Sequence, residues 1–401
     1  MRPLPPAVSS VVSPTMWSPS QLAQGLECRL RTLFKASSSY PNLITHPRAA
    51  LGSVTHRLLE NATRGRIERS HDLRAAVEAE FYRLLSVEEA TLSSSEETAH
   101  FGALSNTFTE VQWLNYVREH VSAATSLLEH APLFRKTKPM ARHIGRSFVD
   151  LIGPGRWPEV RIQSETLRLT GKMDLIEILP NETVVIRDHK GGKVLDKAGE
   201  VIPSIQLQLR LYGLAVLSHR PDSKVELSVS TGKREYRVEF DRHHIEQTNM
   251  WLDGFLSCLP ANVEQSSESQ SNPGSACGLC PHRHVCPTYL ELAPQFWRDG
   301  LPDGRQALDA WGVITKITSK ENLTSLDIQA ASSQRVRIQR LDTTRHLLGN
   351  ARLGQRIWLF GLAASRKRVI RGRHMQPRNF FEIPSNPSDR RAWSLCVYGE
   401  G

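Results

Sequence analysis

One stretch limits what this chain can be more than any other. Gly171-Lys-Met-Asp-Leu-Ile-Glu177 is followed by Val184-Val-Ile-Arg-Asp-His-Lys190 and then by Gln208-Leu-Arg-Leu-Tyr212. The first two pieces are rich in Val, Ile and Leu and are parted by Pro180-Asn181-Glu182, a turn signal, so they read as adjacent strands of a hairpin. Alternate side chains on a strand point the same way, which sets Asp188 beside Lys190, with Asp174 arriving from the neighbouring strand. Two carboxylates and a lysine at one sheet edge suit a hard divalent cation and a water activated against a phosphodiester. Gln208 and Tyr212, four apart on the following helix, share one face directed at that edge. By itself Asp-x-Lys more often describes a solvated salt bridge on a strand, and only the rest of the pattern changes that.

Composition narrows the partners. The 401 residues carry a formal charge of +10 with 39% hydrophobic and 23% charged residues, a globular composition with an anionic partner such as nucleic acid. From Leu301 to Gly401 there are 17 basic and 8 acidic residues, so nearly all the excess lies there. No apolar run approaches the roughly 20 residues of a membrane span, and prolines interrupt any signal-peptide core; a cytoplasmic protein without membrane contact is expected. Six cysteines are too few for a disulfide scaffold, which favours metal binding for any cluster of them.

Along the chain, residues 1–15 read as a loose Pro/Ser leader, followed by a helix bearing Cys28 and a second helix, from about Leu51 to Arg64, bearing His56. A helical insertion is expected over about 65–150, with Val77, Phe81, Leu84 and Leu85 as one buried stripe and Val111, Leu114 and Val117 as another. Strands over 158–170, at the motif hairpin, and at Val225–Thr231 and Glu235–Phe240 combine with helices 203–218 and 243–259 into an α/β core. A polar linker covers 261–275. Cys277-Gly-Leu-Cys280-Pro-His-Arg-His-Val-Cys286 has metal-ligand spacing; zinc would close with His282 or His284, an iron–sulfur cluster with distant Cys28. Residues 300–401 read as a small five-stranded, OB-like β-barrel, with strands at Ala310–Ile317, Thr324–Ile328, Arg335–Leu341, Gln355–Phe360 and Arg368–Arg371. Its Arg335, Arg337, Arg366, Lys367 and Arg368, with Trp311, Trp358 and Phe360, are candidates for holding single-stranded nucleic acid by backbone charge and base stacking.

The ordered set resembles the iron–sulfur branch of the PD-(D/E)XK nuclease superfamily, the RecB/AddB-like group that includes the CRISPR-associated adaptation nucleases. Ser18-Pro19-Ser20 with Cys28, Gly52 with His56, Gly171 with Asp174, Asp188-His189-Lys190, Gln208 with Tyr212, and the cysteine trio stand in the family's order over residues 16–292. The resemblance implies a restriction-endonuclease-like core that hydrolyses DNA with Mg²⁺ or Mn²⁺. It implies His56, Asp174 and Asp188 as metal ligands and Lys190 as the group that positions the attacking water. Gln208 and Tyr212 would support it, and Cys28, Cys277, Cys280 and Cys286 would hold a [4Fe-4S] cluster. It further suggests an exonuclease in DNA repair or antiviral defence beside a helicase or other partner. The rival expectation is a non-catalytic DNA-binding subunit of a helicase–nuclease or integrase complex.

Overall fold

The computed structural model describes residues 1–37, 40–44, 46–68, 70–129, 147–231, 234–259, 265–299, 309–330, 335–362, 380–382 and 395–400. The chain opens with a short helix α1 (Pro19–Leu22), capped by Ser18, whose hydroxyl accepts from Gln21 N while the Gln21 side chain accepts from Ser18 N. Helix α2 (Arg29–Ala36) starts at Cys28. Then come α3 (Arg48–Thr63), α4 (Leu73–Ser94) and α5 (Glu110–Glu129), which pack on one another as a separate lobe. The first stripe is buried as expected, but Val111 and Leu114 are exposed. Trp113 and Tyr116 take the inward place instead, against Phe81 and Phe108, because flat rings cover the lobe's end better than two aliphatic side chains.

The central sheet follows: β1 (Gly155–Ser164), β2 (Leu169–Ile178) and β3 (Val184–His189) form an antiparallel meander. Helix α6 (Pro203–Leu217) crosses over to β4 (Val225–Ser230), which lies parallel to β3, and β5 (Glu235–Val238) closes the order β1-β2-β3-β4-β5. A parallel pair needs such a crossover, and α6, apolar on most sides, is buried by it. Helix α7 (Arg242–Ser257) and α2 complete the main core, centred on Trp17, Ile176, Ile186, Leu209 and Leu227.

After α8 (Pro287–Asp299) come β6 (Ala310–Lys320), β7 (Leu323–Ala330), β8 (Arg335–Asp342), β9 (Arg356–Phe360), β10 (Phe380–Glu382) and β11 (Cys396–Gly399). With residues 2–3 they make a seven-stranded sheet in the order 2–3, β11, β9, β6, β7, β8, β10. Among the described residues no pairing closes this sheet into the barrel expected from the sequence, and the strand expected at 368–371 lies outside them. The N-terminal segment, expected to be loose, is laced into the body. Arg2 and Pro3 pair with Tyr398 and Gly399, Ser10 and Val11 pair with Ser266 and Gln265, and Val11 is buried. Backbone donors of a Pro/Ser-rich stretch can still join short ladders at sheet edges, which composition does not reveal. The same pairing orders residues 265–270 of the expected linker.

Candidate active site

Register brings three acids into one row. Pro158 pairs with Leu175 and Val160 with Met173, so Glu159 stands opposite Asp174; Leu175 pairs with Arg187, so Asp174 stands opposite Asp188. Sequence reasoning found Asp174 and Asp188 but missed Glu159, which the alternating 158–170 stretch disguises as a solvent-facing strand residue. Glu159 is only 2% exposed and has φ of +56°, in the left-handed region that L-residues avoid. Strain of this kind persists where surrounding contacts enforce it, and it collects at functional sites. The enforcing contacts are His56 Nε2, 3.1 Å from Glu159 Oε1, and the ammonium of Lys172 on Glu159 Oε2.

The remaining predicted residues converge on this row. His56, from α3, also lies 3.9 Å from Asp174 Oδ1. Asp174 Oδ2 accepts from His189 N at 2.8 Å. Gln208 donates to Asp188 Oδ1 (2.9 Å) and its carbonyl accepts from Lys190 Nζ (3.2 Å), while Lys190 Nζ lies 2.9 Å from Asp188 Oδ2. Tyr212, one turn on, donates to Lys172 O (2.9 Å) rather than to an acid. Gly171 lets that tyrosine in: a Cβ there would stand 2.8 Å from Tyr212 Cε1 and 3.1 Å from Pro19 Cδ.

Electrostatics mark the row as poised for a cation. Burial, then the neighbouring Asp188, pushes the Asp174 carboxyl up to about 6, and burial raises Asp188 as well. Glu159 is held below its ordinary value: burial pushes it up, but hydrogen bonds from His56 and Lys172 outweigh that. The hydrogen bond to Glu159 raises His56. His56, Glu159 and Asp174 offer three ligand atoms all within 4.8 Å. Glu159 Oε2 and Asp188 Oδ2 are buried oxygens that accept no hydrogen bond of ordinary angle, although each has a lysine alongside. Hard oxygen donors with one imidazole fit Mg²⁺ or Mn²⁺.

A pH-dependent metal effect follows. Asp174 titrates higher folded than its ordinary 3.8, so its contribution is full below that value and is lost as pH rises through about 6. Added Mg²⁺ should therefore raise the melting temperature more at pH 7.5 than at pH 5, where the cation must first displace the Asp174 proton. A metal-induced shift equal at both pH values would place the cation elsewhere.

A family model for the PD-(D/E)XK nuclease superfamily matches residues 16–287, about two thirds of the chain. The chain belongs to the PD-(D/E)XK nuclease superfamily. The match begins just before the Ser18 cap of α1, ends just after Cys286, and encloses every residue of the acid row. No curated protein matches the chain. Among the described residues of this superfamily member, no helix is long and apolar enough to cross a membrane.

Of the five cysteines between residues 16 and 292, Cys28, Cys277, Cys280 and Cys286 lie within electrostatic reach of one another, and none forms a disulfide. Burial raises the Cys277 thiol, and raises Cys280 to about 11 and Cys286 to about 12; each also feels the charge of Cys28. Among the described residues the only three ligand atoms found mutually within 4.8 Å are those of His56, Glu159 and Asp174, so no three sulfurs stand as close as the ~3.8 Å that zinc–sulfur bonds of ~2.3 Å would require. Of the expected zinc-closing histidines, His284 is enclosed by rings, whereas the Nδ1 contact of His282 is compatible with an Nε2 ligand. His284 is fully buried, stacked on Tyr398 and edge-on to Phe360, and His282 Nδ1 lies 3.1 Å from Pro41 O.

The expected nucleic-acid contacts of the C-terminal sheet need correction. Trp311 and Phe360 are buried and Trp358 is half-buried, all packed with Tyr289, Leu43 and the cysteine loop. Those rings dock the sheet on the nuclease domain instead of stacking bases, because the aromatic side is the one turned to that domain, while the opposite face closes over Ile314, Leu326, Ile357 and Leu359. Arg337 is held by both oxygens of Asp327 at 2.5 and 2.7 Å. Arg335 lies on β8, its side chain outside the described residues, as are Arg366, Lys367 and Arg368.

Proposed function

We propose that this chain is a divalent-metal-dependent deoxyribonuclease of the RecB/AddB-like iron–sulfur branch, acting on single-stranded or end-containing DNA as an exonuclease in repair or antiviral defence. The observation that carries the reading is the row Glu159–Asp174–Asp188 with Lys190 held at its end by Asp188 and Gln208. His56, Glu159, Asp174 and Asp188 would hold the cation, which supplies charge neutralisation at a phosphodiester and a more acidic water. Lys190, fixed by Gln208, positions the attacking water and offsets charge growing on the phosphate. Gln208 keeps Asp188 and Lys190 in register, and Tyr212 fixes β2 through the Lys172 carbonyl. Hydrolysis of end-labelled single-stranded and duplex DNA with Mg²⁺ tests this: wild type should release labelled product and Lys190→Ala should not. Equal products from both would end the catalytic reading.

Cys28, Cys277, Cys280 and Cys286 would hold a [4Fe-4S] cluster with a structural role. Thiols this raised give up protons only to a metal, and a cluster joining Cys28 to Cys277 closes about 250 residues of chain. Cys28→Ser should lose iron and soluble yield together; full iron content in that variant would overturn the assignment. The surplus of basic residues after position 300 supports a further grip on the DNA backbone, and a helicase partner fits a chain without a phosphate-loop motif.

A further inference from the structure

Among the described residues, two cations beside the acid row have no acid to neutralise them. Arg161 is exposed on β1, directly opposite Lys172 and two residues past Glu159. One strand spacing of ~4.8 Å and two residues of ~3.4 Å each separate it from Asp174, within reach of a long side chain. Lys35 lies in the last turn of α2, open to solvent at its surface yet crowded enough by surrounding protein to be partly desolvated. Among the described residues neither takes part in an ion pair or a side-chain hydrogen bond, whereas Lys172 and Lys190 are each committed to a carboxylate of the row.

Helix α2 is fastened beside the site. Thr32 Oγ1 donates to Gln21 O (3.2 Å), and Pro19 of α1 lies against Gly171 and Tyr212. Cys28, Arg31 and Lys35 fall on one face, since positions three and four apart align along a helix. Arg31 faces the thiols, whose ionisation it favours in Cys277 and Cys280. Lys35, on that same face, stands about 10 Å further along the axis from Cys28. Burial, then Arg31 and Lys190, lower its pKa, which puts it near the end of the acid row.

A nucleic-acid strand crossing three carboxylates meets repulsion everywhere except at the bound cation, so the phosphates on either side of the cut need partners of their own. We infer that Arg161 and Lys35 are those partners, holding phosphates on opposite sides of the bond that is cut. The substrate strand then runs across the sheet end, from the outer strand β1 toward the cysteine loop. This rests on the nuclease reading above and adds the direction of the strand.

Binding can be measured without cleavage, in an Asp188→Asn background, using a fluorescent single-stranded oligonucleotide just long enough to fill the site. Lys35→Met and Arg161→Met should each bind several-fold more weakly and reduce the slope of log affinity against log salt by about one. Lys35→Arg and Arg161→Lys should restore both. Neutral methylphosphonates placed singly along the strand should assign the contacts: a substitution on one side of the cut costs affinity in the parent but not in Lys35→Met, and one on the other side spares Arg161→Met in the same way. Unchanged salt slopes, or both variants answering to the same side, would overturn the inference. Cleavage by the wild type is scored separately. Lys35-dependent binding by a protein that cuts nothing would sink the nuclease reading alone, while a cutting protein with unchanged slopes would sink this inference alone.

Discussion

Asp188→Asn is expected to lower DNA hydrolysis at least about a thousandfold, some 4 kcal/mol of transition-state stabilisation, without unfolding the protein. Asp188 sits where a cation site and Lys190 meet, and an amide offers the cation one neutral oxygen in place of a carboxylate. The same change should relieve the resting fold. Burial and Asp188 together keep Asp174 up at about 6, so removing the Asp188 charge lets Asp174 ionise more readily at neutral pH. Lys190 loses its counter-charge, but its side chain is 32% exposed and water can solvate it. The metal-free melting temperature of the variant should therefore equal or exceed that of wild type, while the shift produced by Mg²⁺ shrinks. Lost activity with a lowered metal-free melting temperature would mean that Asp188 serves the fold; retained activity would remove it from the site altogether. Function held against stability in this way is common where like charges are buried together.

The acid row shows which parts of such a site a sequence can reveal. Asp174 and Asp188 were legible because each sits in or at the end of a short apolar run whose strand character is plain, and Lys190 because its two-residue spacing puts it on the side of Asp188. Gln208 and Tyr212 were legible from helical spacing. Glu159 was not: it follows a proline in a mixed polar stretch, and only the register with β2 and the positive φ reveal that it is buried. The C-terminal unit misled for a related reason. Its strands follow from alternation and four fall close to where they are expected, but alternation says that a strand has two faces without saying which one meets the rest of the chain. Trp311 and Phe360 looked like a stacking platform and form the face turned to the nuclease domain. The first fifteen residues failed as well, since edge pairing over two residues leaves no periodic trace.

That docking face carries the second large effect. Asp309, fully buried at the start of β6, accepts four hydrogen bonds: two from Arg283 (2.7 and 3.1 Å), one from Tyr289 OH (2.6 Å) and one from Gly361 N (2.7 Å). Arg283 lies between Cys280 and Cys286 and also donates to Cys280 O at 3.1 Å, so one carboxylate joins the cysteine loop, α8 and both ends of the β6–β9 segment. Asp309→Ala strands a guanidinium that is only 11% exposed, together with a tyrosine hydroxyl and a backbone N–H. Removing one partner of a buried pair typically costs about 3–5 kcal/mol, and that is the loss expected here in chemical denaturation, a large share of a typical domain's stability. Asp309→Asn should lose less, because its side-chain oxygen still accepts. The combination Arg283→Met with Asp309→Leu should recover much of the loss, since the apolar pair leaves no buried charge, and coupling between the two sites is the signature of the node. Hydrogen exchange in Asp309→Ala should quicken first in β6 and β9, with the acid row still protected. A loss below about 1 kcal/mol, or faster exchange that starts at β2 and β3, would show that the sheet is held by its aromatic contacts and not by this carboxylate.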